Sequence, residues 1–153
     1  WQMNNLEGWG GPNPDSWYQQ QEALQKKIVS RMRELGIEPV FPGYAGMVPR
    51  NIGEKLGYQI ADPGTWCGFP RPAFLSSEDE HFDSFAAMYY EELEKLYGKA
   101  KYYSMDPFHE GGNTEGVDLA KAGTSIMKAM KKANPEAVWV IQAWQANPLW
   151  LMC

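Results

Sequence analysis

Three times along this chain a stretch with helical spacing of apolar residues gives way, within a few residues, to a short β-prone run. That alternation constrains the fold more than any other feature. In the run to Leu35, Leu24, Ile28, Met32 and Leu35 recur at steps of 4, 4 and 3 residues, the stripe of a helix over about 16–35. Asp15 or Ser16 is placed to cap it, and Gly36 sits just past its end. IEPVFPGY (37–44) then reads as a buried strand, weakened by Pro39 and Pro42, which cannot donate to a ladder. Ser76 or Ser77 is placed to cap a second helix, acidic in its first turn. Its stripe is Phe82, Phe85, Tyr89, Leu93 and Leu96, and Gly98 closes it. KYYSM (101–105) is the next strand candidate. A third helix is predicted over about 116–133, with Leu119, Ile126 and Met130 inward, and Asn134-Pro135 stops it. AVWVIQAW (137–144) supplies the last strand.

An order of loop, α, β, α, β, α, β predicts an α/β fold with parallel strands, right-handed crossovers and covering helices. Three such strands cannot close a sheet alone, so the chain reads as a segment of a larger α/β protein. A doubly wound sheet would place a G-x-G-x-x-G turn after its first strand. The strand ends here, PGYAG, DPFHEGG and AWQANP, carry neither that pattern nor a P-loop, which favours a (β/α)8 barrel segment. Val40, Val138 and Val140 are then expected beside an open sheet edge or beside strands outside this chain.

Charge and composition narrow the function classes. A net charge of −5 argues against nucleic acid as a partner, since such binding needs a basic face. No run of about 18 apolar residues is present, so a membrane span is not expected. No secretory leader is visible, and the opening Trp1-Gln2-Met3-Asn4 suggests a mature end or an internal cut. Cys67 and Cys153 lack C-x-x-C or zinc spacing and leave one disulfide or none open. Neither metal nor cofactor is expected. Aromatic residues make up 14 %, a richness shared by carbohydrate sites and ordinary cores.

In a (β/α)8 barrel the chemistry gathers at the C-terminal strand ends. Those ends carry Tyr44; Asp106, His109 and Glu110; and Gln142, Trp144 and Gln145. Glu110, followed by two glycines, is the sharpest candidate: a carboxyl in a partly apolar surround can act as a general acid. The bland alternative is a salt bridge or a helix cap. His109 could bond a substrate hydroxyl or orient a neighbour, and Asp106 before Pro107 could be a simple Asx turn. Trp9, Trp66 and Trp144 could stack on sugar or fill a core, and His81 reads as surface. Residues 45–75 form a Gly/Pro-studded stretch too long for an ordinary connection.

The residues then become recognisable. MNNLEGWGGP (3–12), LQKKIVSRMRELGIEPVFPGYAGMVP (24–49), YYSMDPFHEGG (102–112) and AVWVIQAWQANP (137–148) resemble, in the same order, four blocks of the α-N-acetylglucosaminidase family, glycoside hydrolase family 89. The resemblance covers essentially all of residues 1–153. It implies the central part of a (β/α)8 catalytic domain, with the remainder of that domain as its partner. It implies an exo-acting retaining hydrolase that removes terminal α-linked N-acetylglucosamine from glycans, working in a secreted, periplasmic or lysosomal setting. It assigns the general acid/base to Glu110, and a second Glu on a later strand serves as nucleophile. No Glu follows Glu136, so that nucleophile is expected outside this chain, and the piece alone should be inactive. Substrate contacts are expected from Asn5, Tyr44, Cys67, His109 and Trp144, with packing under the long loop as the alternative for Tyr44 and Cys67. A non-catalytic carbohydrate-binding α/β domain with an aromatic rim is the competing reading.

Overall fold

Three-residue strands and long amphipathic helices dominate the computed structural model, which describes residues 13–62, 64–107 and 114–141. In chain order the elements are α1 (Asp15–Glu34), β1 (Val40–Pro42), β2 (Met47–Val48), α2 (Ile52–Leu56), β3 (Ile60–Ala61), β4 (Thr65–Trp66), β5 (Phe69–Pro70), β6 (Ala73–Leu75), α3 (Phe82–Tyr97), β7 (Tyr102–Ser104), α4 (Leu119–Ala133) and β8 (Val138–Val140). The principal sheet has the order β1-β7-β8 and is parallel throughout. Val40, Tyr102 and Val138 share one register row, and Pro42, Ser104 and Val140 share another. The carboxyl ends of all three strands therefore lie on one rim. β1 and β8 are the outer strands of this sheet, as expected for Val40, Val138 and Val140. Val40 is half exposed, at 49 %.

The first strand is shorter than its apolar run. Pro39 has no N–H to give, so pairing begins at Val40 and ends at Pro42, where the Gly43 N–H continues the ladder to the Ser104 carbonyl at 2.9 Å. α1 begins one residue early, on the extended backbone of Pro14, without the side-chain cap expected from Asp15 or Ser16. Gly36 and Gly98 end α1 and α3 with positive φ, as their positions predict. Gly98 has a second reason to be glycine. Arg33 reaches from α1 to donate to the Tyr97 and Lys99 carbonyls at 2.8 and 2.9 Å, and a Cβ at Gly98 would stand 3.3 Å from its guanidinium.

Two expectations about the β1–α3 connection need correction. Residues 45–75 are an ordered excursion rather than one long loop. β2, β6 and β3 form an antiparallel sheet, and β4 and β5 form a hairpin. Val48, Ile52, Ala73 and Leu75 give it a small core of its own, backed by Tyr58 and by Phe85 of α3. α3 starts at Phe82, not at Ser76 or Ser77. Ser76 Oγ accepts the Glu78 N–H and Asp79 Oδ1 accepts the His81 N–H, and such local bonds compete with helix propagation. His81 is correspondingly no free surface residue. Its ring stacks on Tyr58 with centroids 4.0 Å apart, and Nδ1 lies 2.9 Å from Asp79 Oδ1.

The main core is Phe41, Tyr44, Phe82, Ala86, Tyr90, Tyr103, Ile126 and Met130 with their neighbours. It sits between the sheet and the α3–α4 layer. α4 is three residues shorter than predicted at its start, because Asp118 caps it by accepting the Lys121 N–H. The stripe of α1 turns out only partly inward. Val29 is buried and Met32 half-buried, whereas Leu24, Ile28 and Leu35 face outward among the described residues.

The excursion closes on itself at Gly46. Its carbonyl accepts the Leu75 N–H at 2.8 Å, its φ is +111°, and an added Cβ would meet the Leu75 carbonyl oxygen at 2.5 Å. Gly46→Ala in the complete protein is therefore expected to lower stability by about 2–3 kcal/mol, through backbone strain and a contact that cannot relax. Urea denaturation measures it, and an unchanged midpoint would show the turn to be adaptable.

Candidate active site

The rim at the carboxyl ends of β1, β7 and β8 is built by aromatic residues, and the geometry explains how. Tyr44 follows β1 by two residues and is only 3 % exposed. Its ring packs on Phe82 and Tyr89, with centroids 5.4 and 5.6 Å away. The packing expected of Tyr44 is thus real, although it packs against α3. Its hydroxyl is buried and has no hydrogen-bond partner among the described residues, a state that costs stability unless a further group meets it. Burial pushes the Tyr44 phenol well above its ordinary range, so it stays a neutral donor.

Two adjacent tyrosines of α3 hold the strand ends. Tyr89 donates its hydroxyl to the Pro42 carbonyl at 3.0 Å. The Tyr90 hydroxyl accepts the Tyr44 N–H at 3.1 Å and donates to Met105 Sδ at 3.7 Å. Burial raises both phenols, and that of Tyr90 is pushed up to about 12. Trp139 Nε1 donates to the Met105 carbonyl at 2.9 Å. The sequence singles out Tyr89 as a stripe residue and gives no hint of Tyr90. An adjacent Tyr-Tyr pair on a core-facing helix is the only available signal.

Cys67 lies at the tip of the β4–β5 hairpin, exposed and without a disulfide among the described residues. Its φ is +51°, followed by Gly68 at +80°, the conformation of a tight two-residue hairpin turn. The packing alternative for Cys67 is therefore wrong: the turn holds it in solvent. Trp66 beside it is 44 % exposed and is not part of the core formed by the described residues. Arg50 steadies the hairpin base. It forms a two-point ion pair with Asp62, at 2.9 and 3.0 Å, and also donates to the Arg71 carbonyl. Hydrogen bonds from Arg50 and from the Gly64 N–H hold the Asp62 carboxyl below its ordinary range. The pair is therefore complete above that range and fades as pH falls through the lowered value.

Asn5, His109, Glu110 and Trp144 lie outside the described residues. The structure describes the chain ahead of His109 and Glu110 as far as Pro107: β7, the middle strand, ends at Ser104, and Met105 and Asp106 follow it. Among the described residues no cluster of three or more His, Cys, Asp or Glu could hold a metal, and no helix is long and apolar enough to cross a membrane.

Three parallel strands joined by helical crossovers, with their carboxyl ends on one rim, have the architecture of a (β/α)8 barrel segment. The sequence matches the alpha-N-acetylglucosaminidase (NAGLU) tim-barrel domain over residues 1–152, and the chain belongs to that family. A curated relative, alpha-N-acetylglucosaminidase from Homo sapiens, is 34 % identical over 149 residues, covering 93 % of this chain and 20 % of its own length. A family 89 glycoside hydrolase from Clostridium perfringens in complex with 2-acetamido-1,2-dideoxynojirmycin superimposes with a TM-score of 0.90 at 42 % identity, over 96 % of this chain and 17 % of that one. A doubly Glu-to-Gln substituted form from Clostridium perfringens, in complex with its substrate GlcNAc-alpha-1,4-galactose, gives 0.92 at 41 % identity over 98 % and 18 %. The chain thus spans about a fifth of the length of these relatives.

Proposed function

We propose that the protein carrying this chain is an exo-acting retaining α-N-acetylglucosaminidase, with Glu110 as its general acid/base and a second Glu, beyond Cys153, as nucleophile. The observation that carries this reading is the position of Glu110. In the sequence it comes six residues after β7, the strand flanked on both sides, and barrel enzymes place their catalytic groups just past the carboxyl ends of such strands. Retention needs two carboxyls about 5 Å apart, and a relative bound to its substrate after two Glu-to-Gln substitutions agrees with two such groups. At Glu110 the acid protonates the leaving glycosidic oxygen, and the resulting carboxylate then activates the water that releases N-acetylglucosamine. Asn5 and His109 bond its hydroxyls or acetamido group, Trp144 floors the ring, and Tyr44 and Cys67 complete the pocket. The buried, unpartnered Tyr44 hydroxyl supports a donor role there. The setting is secreted, periplasmic or lysosomal, where terminal glycans are met.

The test is release of N-acetylglucosamine from GlcNAc-α-1,4-galactose by the complete enzyme, with the α-configured product seen first by NMR. Alanine at Asn5 or His109 is expected to weaken inhibition by free N-acetylglucosamine roughly tenfold, the worth of one well-placed polar contact. Tight sugar binding without any turnover would favour the carbohydrate-binding domain instead.

A further inference from the structure

We propose that Tyr90 is a positioning residue for catalysis: its hydroxyl couples Tyr44 and Met105, just past the carboxyl ends of β1 and β7, and so anchors the chain five positions ahead of Glu110 in the sequence. This rests on the reading of Glu110 as the acid/base. One oxygen does two jobs, accepting the Tyr44 N–H at 3.1 Å and donating to Met105 Sδ at 3.7 Å. Met105 is gripped a second time at its carbonyl by Trp139 Nε1. Its thioether lies against Gly43, where a Cβ would stand 2.5 Å from Cγ and Sδ. Met105 is the last residue before Asp106-Pro107 and stands five positions ahead of Glu110. The anchor belongs to α3 and is only 3 % exposed. It therefore acts on the strand ends from beneath, without touching substrate. A proton donor displaced by a fraction of an ångström loses rate on the step that needs its proton, while binding is spared.

Tyr90→Phe keeps the ring and its edge contact with Tyr103, at 5.1 Å, and removes only the hydroxyl. In the complete enzyme this variant, Glu110→Gln and Ile126→Val are compared on GlcNAc-α-1,4-galactose and on 2,4-dinitrophenyl α-N-acetylglucosaminide. Ile126→Val trims the same core without removing a hydrogen bond and serves as the control for lost stability. Tyr90→Phe is expected to lower kcat/KM, which reports the first, glycosylation step, about tenfold on the disaccharide and less than about threefold on the activated aryl glycoside, whose leaving group needs little proton assistance. Ile126→Val should leave the ratio of the two substrates as it was. Equal losses on both substrates for Tyr90→Phe, or none, beside a selective loss for Glu110→Gln, would overturn the positioning role and leave the acid/base reading intact. A Glu110→Gln enzyme without that selectivity would overturn both.

Discussion

Glu110→Gln in the complete enzyme is expected to lower turnover of GlcNAc-α-1,4-galactose by roughly 100- to 10,000-fold, the usual worth of a general acid. The argument follows from the leaving group. A sugar hydroxyl departs with a pKa far above neutrality and needs a proton in the transition state. A dinitrophenolate needs almost none, so the first step on that substrate should survive. Hydrolysis of the glycosyl-enzyme then becomes slow, because no base activates water, and the intermediate should accumulate as a burst of dinitrophenol. Added azide, which requires no base, should restore turnover of the aryl substrate. Equal, small losses on both substrates would remove Glu110 from the mechanism.

The second large effect concerns residues 1–153 taken alone. That polypeptide is expected to show no turnover, since it would hold one member of a carboxylate pair, and to self-associate. β1 and β8 are outer strands with unpaired backbone on one side among the described residues, and such edges are templates for pairing. Beside β1, the outward stripe of α1 (Leu24, Ile28 and Leu35) and Ile37 add apolar surface, each at least 43 % exposed. Contiguous apolar area beyond a few hundred Å² drives association. Sedimentation of the isolated polypeptide checks this: a discrete monomer with a single cooperative unfolding transition would argue that these surfaces need no neighbours.

How far the sequence could be read depended on whether a signal was local. The three long helices were legible because each carries a 3.6-residue stripe of ten or more residues bounded by glycine or Asn-Pro. The parallel order followed from their alternation with β-prone runs. The small sheets at 47–48, 60–61 and 73–75 were not legible, since a two- or three-residue strand shows no period. The start of α3 differs for a chemical reason: Ser76 and Ser77 look like caps, yet Ser76 Oγ and Asp79 Oδ1 each bond the N–H two residues on. In α1 the spacing was right, but the stripe does not tell which face is covered: among the described residues Val29 is buried while Leu24 and Ile28 stay exposed. At the rim, Tyr44 could be placed from its position after a strand. The hydroxyl contacts of Tyr89 with Pro42 and of Tyr90 with Tyr44 join residues 47 and 46 positions apart and leave no local trace.

The hydrogen bond between the Gly46 carbonyl and the Leu75 N–H has a consequence for how such barrels diversify. The two ends of the excursion touch at one neck, and Tyr58, against His81 and Phe85, ties its body to α3. Lengthening the stretch where it leaves those contacts intact adds only the slowly growing entropy of a closed loop, about 0.6 kcal/mol for each doubling of its length. The strands beneath would keep their register through such changes. The rim can thus acquire a new outline by insertion or exchange at one neck, while the frame that aims the strand ends is inherited unaltered.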